Sequence, residues 1–298
     1  MPLLREHKDN DELLISAKII TTFFTVILLA NAARRFGPRW AGVLAGFPLG
    51  SAITLYFIGY EQGAEYAADG AVYTLAGLCG CLVLVSTYWW ASRRWPARRL
   101  IILPAGLGFA AFMLAGWPLQ WLPNDRWINL AIIMVAIPLA HRLLGQIPES
   151  ETRIEKHNIW QKPIVALAFR ATAASISVLG ITALAHWLDP SQAGVLAAFP
   201  VSFFPALIVL HLSYGAHVSA TAVKHYPSGL GAMVVYVMCA SYSYDYLSLN
   251  MGTLVALGGA CLYLLAYYLL TRNRSIAPDA RLTDKAPVTD KSPLTDKA

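Results

Sequence analysis

Charge is scarce in this chain. Of its 298 residues only 13% are charged and 57% are hydrophobic, with a mean hydropathy of +0.51. Ordinary soluble domains are about one-quarter charged. A water-soluble fold of this composition would have to expose apolar patches large enough to drive association, so a membrane is the expected solvent. Cysteine is nearly absent: Cys79, Cys81, Cys239 and Cys261 all fall inside apolar stretches, with no C-x-x-C pair and no histidine at ligand spacing. They read as small packing residues, and neither a disulfide frame nor a metal site is expected. Also missing are a G-x-S-x-G elbow, an H-E-x-x-H helix, a phosphate loop and a buried carboxylate pair. No catalytic residue, no cofactor and no enzymatic activity are expected.

Apolar runs are abundant. Runs near the roughly 20 residues that cross hydrocarbon lie at 13–33, 40–60, 69–91, 99–118, 127–147, 164–187, 193–212, 228–244 and 249–271. With no long alternating strand pattern among them, the expected fold is all-α and polytopic, because a helix satisfies its own backbone in lipid. The head "MPLLREHKDNDE" is polar, and no small-residue cleavage site follows the first run, so no cleavable leader is expected. From Thr283 the tail repeats a proline-containing phrase, "TDKAPV", "TDKSPL", "TDKA", which reads as disordered.

The runs repeat. "AGVLAGFP" at 41–48 returns as "AGVLAAFP" at 193–200, an offset of 152 residues. At that offset and without a gap, Lys18 falls on Arg170, Gly63-Ala64 on Gly215-Ala216, Gly77-Leu78 on Gly229-Leu230 and Gly106 on Gly258. The expected arrangement is 4+1+4: residues 1–12 a tail, 13–118 repeat 1, 119–163 a connector with the fifth span, 164–271 repeat 2, and 272–298 a disordered C-terminal tail. An odd connector turns the second copy upside down, making inverted-topology repeats. The arginines fit, since cytoplasmic loops carry the Lys and Arg excess. Arg34, Arg35, Arg39, Arg93, Arg94, Arg98 and Arg99 follow the first and third spans, and their seven equivalents in the second copy include neither Lys nor Arg. Nine spans, an N-terminus outside and a C-terminus in the cytoplasm satisfy the pattern. Topology thus accounts for the net charge of +6 and pI of about 9.1, and no nucleic-acid partner is expected.

Within each repeated phrase proline interrupts the span, at Pro48 and Pro200. Proline frees carbonyls that lipid cannot satisfy. Ser51, Thr54 and Ser202 stand beside the breaks as local partners. One reading is a kink that shapes packing; the other is a pair of broken helices at a transporter site between opposed halves. Lys18 and Arg170 sit early in the first and sixth spans, where a cation must snorkel, pair or face water. Their equivalent placement points to attraction of an anion, and Glu61 is positioned to pair with Lys18, whereas its counterpart Ser213 cannot serve Arg170. His141, His211 and Asp245 read as interfacial.

Lys18, Ala41-Gly42, Phe47-Pro48 and "GYEQG", with Gly59, Glu61 and Gly63, together resemble the GlpM family of small bacterial inner-membrane proteins. The likeness covers 13–118 and, less closely, 164–271. Members are single four-span units, so the resemblance implies a tandem fusion in the bacterial inner membrane. Arg170 in place of the lysine and Ser213 in place of the acid depart from the pattern. The family is associated with production of the exopolysaccharide alginate. The sequence therefore leads to a transporter or channel for an anionic small molecule or lipid head group, with membrane lipids around it. The alternative is a non-transporting accessory protein with an envelope-biosynthesis partner. Reporters fused after the fourth and fifth spans should land on opposite faces of the membrane; finding them on one face removes the inversion.

Overall fold

A computed structural model describes residues 2–36, 47–148 and 158–272. Among these there is no strand. The helices are α1 (Pro2–Phe36), α2 (Leu49–Gln62), α3 (Ala64–Arg94), α4 (Ile102–Leu119), α5 (Arg126–Gly145), α6 (Pro163–Ala185), α7 (Pro190–Ala197), α8 (Phe203–Tyr214), α9 (Ala216–Tyr246) and α10 (Leu249–Arg272), with short 3-10 turns at Arg98–Leu100 and Ile159–Gln161. Residues 41–46 of the first phrase and the tail beyond residue 272 lie outside the described residues. By contacts the chain divides into Met1–Tyr263 and Leu264–Ala298. The described part of the second unit is the end of α10, with Leu265, Leu269 and Leu270 exposed.

Among the described residues six helical stretches are long and apolar enough to cross a membrane: Glu12–Asn31, Ala64–Arg94, Arg98–Leu119, Arg126–Gly145, Pro163–Ala185 and Leu249–Leu270. Three of the nine expected spans are not among these six. The run at 193–212 is two helices, α7 and α8, separated at 198–202 around Pro200. The run at 40–60 is described only from Phe47, where α2 begins one residue past Pro48. The short run at 228–244 is part of the 31-residue α9, which carries Pro227 inside it and too many tyrosines and serines for an apolar window.

The elements sort between two ends of the first unit. At one end Tyr66 Oη donates to Ala185 O (3.0 Å) and Leu188 O (2.6 Å), Asn124 Nδ2 donates to Asp69 (2.7 Å), and Arg126 pairs with Asp245. The other end gathers the turn after α3 and the end of α8, where Asn158 Nδ2 donates to Leu212 O (2.6 Å) and Gln161 Nε2 to Ser213 O (3.1 Å). Helix α3 therefore starts where α9 finishes, and the two run antiparallel. Helices α1 and α6 are antiparallel as well, since Lys18 meets Thr182 while Val26 packs with Ala171 and Ala174.

Each end has a one-residue hinge. Gly63 (φ 103°) joins α2 to α3 and Gly215 (φ 95°) joins α8 to α9. Only glycine adopts this backbone without steric cost, which lets one helix stop and another start with no loop between them.

Helix α3 is the buried centre. Its small residues let α7 approach to backbone contact: a Cβ on Gly194 would stand 2.1 Å from Gly70 O, and one on Gly77 would stand 2.7 Å from Ala198 Cβ. Close approach through small residues is how helices associate in lipid, where no hydrophobic force drives them together. By contrast α4, α5 and α6 turn large apolar residues outward, among them Ile102, Leu114, Trp117, Val135, Leu139, Ile164 and Ile176. These are the surfaces that lipid covers. Gly194→Ala should force α3 and α7 apart and cost about 1–3 kcal/mol, whereas Gly106→Ala, with no atom within 4 Å of the new Cβ, should leave thermal stability in detergent near that of the parent.

Candidate functional site

The two proline breaks meet. A Cβ on Gly50 would lie 2.4 Å from Val201 Cγ2 and 3.3 Å from Ser202 Oγ, so the first turn of α2 is packed directly on the break between α7 and α8. Gly50 and Ser202 are equivalent positions, 152 residues apart. The local bonding matches as well: Leu49 N donates to Phe47 O (2.9 Å) as Val201 N does to Phe199 O (2.8 Å), and Ala52 N donates to Pro48 O (2.7 Å) as Phe204 N does to Pro200 O (2.8 Å).

Two helix N-termini are thus presented at one place. The first-turn N–H groups of a helix have no carbonyl within it, and each terminus carries about half a positive charge. Ser51, in the first turn of α2, is 1% exposed and its Oγ has no hydrogen-bond partner. Ser202, the N-cap of α8, makes no capping bond. Thr54 is fully buried and donates back to Gly50 O (3.0 Å), so its hydroxyl is already engaged. Pro48 and Pro200 are both buried. This collection, hydrogen-bond donors and positive helix ends without a carboxylate, suits an anion.

Beside the second break, α3 adds side-chain donors. Cys81 Sγ donates to Ala198 O (3.0 Å), and Thr74 Oγ1 donates to Gly194 O (2.8 Å), which also accepts from Ala198 N (3.3 Å). Cys81 is therefore a hydrogen-bond donor as well as a packing residue. The available sequence signal was the glycine pair Gly70 and Gly77 on the same helix, which marks the close approach without naming the donors.

Lys18 and Arg170 do not join the central group or each other. Lys18 is 5% exposed; its Nζ pairs with Glu61 Oε1, donates to Thr182 Oγ1 (2.7 Å) and lies 5.8 Å from the Phe57 ring centre. Glu61 Oε2 turns to His186 Nε2 at 3.4 Å, and Gln62 Nε2 lies 2.6 Å from His186 Nδ1. Arg170 stands 12 residues before Thr182 on α6, about 18 Å along the helix axis. It is partly buried, and its Nε has no hydrogen-bond partner. One cation is thus neutralised by a carboxylate, while the structure gives the other no ion pair among the described residues.

One further residue differs from expectation. His211 is fully buried rather than interfacial, with Tyr88 Oη 3.0 Å from Nδ1 and Pro96 O 3.3 Å from Nε2. A carbonyl only accepts, so Nε2 carries the proton there. The site fastens the end of α8 to the turn after α3, aided by Arg98 Nη2 donating to Ser213 O (3.4 Å). Asp245 is exposed and pairs with Arg126, which also lies over the Tyr242 ring at 4.4 Å. An apolar cavity of about 190 Å³ between α4 and the α6–α7 segment, lined by Phe112, Met113, Trp117, Gln192 and Leu196 among others, is separate from the charged groups.

No family model, curated protein or solved structure matches this chain. Removing one member of a buried ion pair strands the other charge, at a cost of about 3–5 kcal/mol. Glu61→Leu should lower unfolding stability in bicelles by that order, and Lys18→Met combined with Glu61→Leu should restore most of it. Equal loss in the single and double variants would show that the pair is not what holds α1, α2 and α6 together.

Proposed function

We propose that this chain is a multi-pass inner-membrane transporter built from two inverted repeats, 13–118 and 164–271, joined by α5, and that it moves an anionic small molecule or lipid head group between the halves. The observation that carries the reading is the meeting of the two breaks, Gly50 against Val201 and Ser202, with the unpartnered Ser51 hydroxyl beside it. Inverted repeats with discontinuous helices bind substrate at the repeat interface, where half-helix N-termini face anionic groups.

The matching bounds of the copies support the repeat. Helices α3 and α9 are both 31 residues long, start after glycines of positive φ and are offset by 152 residues. Their antiparallel course supports the inversion, as does the antiparallel pairing of α1 with α6. The loop arginines orient the assembly: the Gly63 end faces outward, and the Gly215 end and the C-terminus face the cytoplasm. On this reading the chain is a tandem fusion of GlpM-like units.

The tight contact at Gly50 favours a carrier over an open pore. With a Cβ excluded there, a substrate larger than a small ion enters only when the halves part. Opposed halves that rock about a fixed site expose it to one side and then the other. Lys18 and Arg170 lie near opposite ends of the α1–α6 pair; Arg170, with no ion pair among the described residues, then stands on one approach, where a cation raises the local concentration of an anion, while Lys18 on the other is neutralised by Glu61.

In liposomes the purified protein should move at least one member of a panel of chloride, inorganic phosphate, glycerol phosphate and labelled phospholipid. Ser51→Ala with Ser202→Ala should cut that flux at least about tenfold, the loss expected for hydrogen bonds to a charged group. Lys18→Ala with Arg170→Ala should also reduce it. Unchanged flux in both double variants overturns the assigned site. Absence of any flux, together with a stable partner recovered from membranes, indicates instead an accessory of envelope polysaccharide production.

A further inference from the structure

The two ends of the α1–α6 pair differ in chemistry. At the Gly63 end Lys18, Glu61, Gln62, Thr182 and His186 converge. Their equivalents by the 152-residue offset are Arg170, Ser213, Tyr214, Ala30 and Arg34. One end holds a carboxylate and an imidazole, and the corresponding positions at the other hold neither. Only the first set contains a group that takes up a proton in ordinary chemistry and thereby changes the charge presented to an anion.

The geometry of that set is a path. His186 is half exposed, while the Glu61 side chain is 9% exposed and the Lys18 side chain 6%. The imidazole therefore touches solvent on one side and the buried carboxylate on the other. Glu61 Oε1 is occupied by Lys18, and Oε2, which faces His186, has no hydrogen bond. We propose that Glu61 is the proton acceptor of a proton-coupled anion transporter, loaded through His186, and that its protonation releases Lys18 to hold the incoming anion. This rests on the transport reading above and adds the coupling ion to it.

The step balances. Solvent protonates His186; the imidazolium breaks its Nε2–H bond and Glu61 Oε2 forms an O–H bond; the ring is left neutral with its remaining proton on Nδ1. Gln62 then presents its amide oxygen to Nδ1–H in place of its NH₂, a rotation that needs no backbone movement. Glu61 becomes neutral, and the ammonium of Lys18, still bonded to Thr182, carries an uncompensated charge. The site moves from net zero to +1. An anion restores neutrality, which links one proton to one monoanion.

The other titratable and charged groups on the surrounding elements have other roles. On α1 Glu12 already has a partner of its own. On α2 Tyr60 is 63% exposed. At the start of α3 Glu65 is exposed and Tyr66 donates to two carbonyls. Asp189, just before α7, lies beyond those carbonyls and interacts with Tyr66.

The test uses the full-length protein and two readouts. In nanodiscs, infrared difference spectra between neutral and acidic buffer should show a protonated-carboxyl band that disappears in Glu61→Gln. In liposomes given chloride or inorganic phosphate outside as probe, an inwardly directed proton gradient should raise uptake several-fold, and Glu61→Gln should abolish that stimulation. His186→Ala, which leaves the ion pair intact, should slow the gradient-driven flux and serves if Glu61→Gln fails to fold. Gradient stimulation that persists in both variants overturns the proposal while leaving transport itself standing. If no anion moves, the transport reading fails, and a spectrum unchanged by Glu61→Gln removes the proton acceptor as well.

Discussion

Lipid offers no hydrogen bonds, and that constraint governs the structure around the second proline break. Pro200 interrupts a helix inside an apolar chain, so carbonyls at the end of α7 need donors from protein. Helix α3 supplies one from Cys81 to Ala198 O, and Thr74 adds a second bond to Gly194 O, which already accepts from Ala198 N. These short side chains reach only because Gly70 and Gly194 bring the two backbones into contact. Helix α3 consequently sits at the centre of the molecule and is mostly buried, while α4, α5 and α6 turn leucine, isoleucine, valine and tryptophan outward. The same economy fixes the ends: the C-terminal carbonyls of α8 are capped by Asn158, Gln161 and Arg98, side chains of neighbouring turns.

The two stretches related by the 152-residue offset share local backbone features and differ in chemistry. The breaks, the glycine hinges and the 31-residue helices repeat, down to matching hydrogen bonds around Pro48 and Pro200. The charged positions do not. Lys18 is held in a buried ion pair, and Arg170 has Ser213 where that pair would need an acid. A duplicated scaffold keeps what the backbone requires, because any change there leaves unsatisfied groups in lipid, and is free to vary side chains at its two ends. In the proposed function that freedom gives the two faces of the membrane different electrostatic settings around one central pair of helix termini.

Much of this was legible in the chain. The break at Pro200, the helical class and the pairing of Glu61 with Lys18 follow from letters and spacing. What could not be read was tertiary. Proline marks a break without saying whether the helix kinks or ends, and here 193–212 becomes two helices. Hydropathy missed the extent of α9 because its Tyr236, Tyr244, Ser241 and Ser243 are buried by protein rather than exposed to lipid. His211 looked interfacial, but its burial depends on Tyr88 and on Pro96 in a turn more than 100 residues away. Equivalence in sequence also suggested that Lys18 and Arg170 act together, whereas α1 and α6 run antiparallel and the two cations stand apart, Lys18 at Thr182 and Arg170 twelve residues before it.

The central claim is that an anion is held where the two breaks meet. Anomalous diffraction from crystals grown in bromide addresses it directly. The account predicts a bromide peak within hydrogen-bonding reach of Ser51 and Ser202, lost when both serines are replaced by alanine. Peaks confined to Arg170 or to the loop arginines, with none between the opposed helix ends, would contradict it.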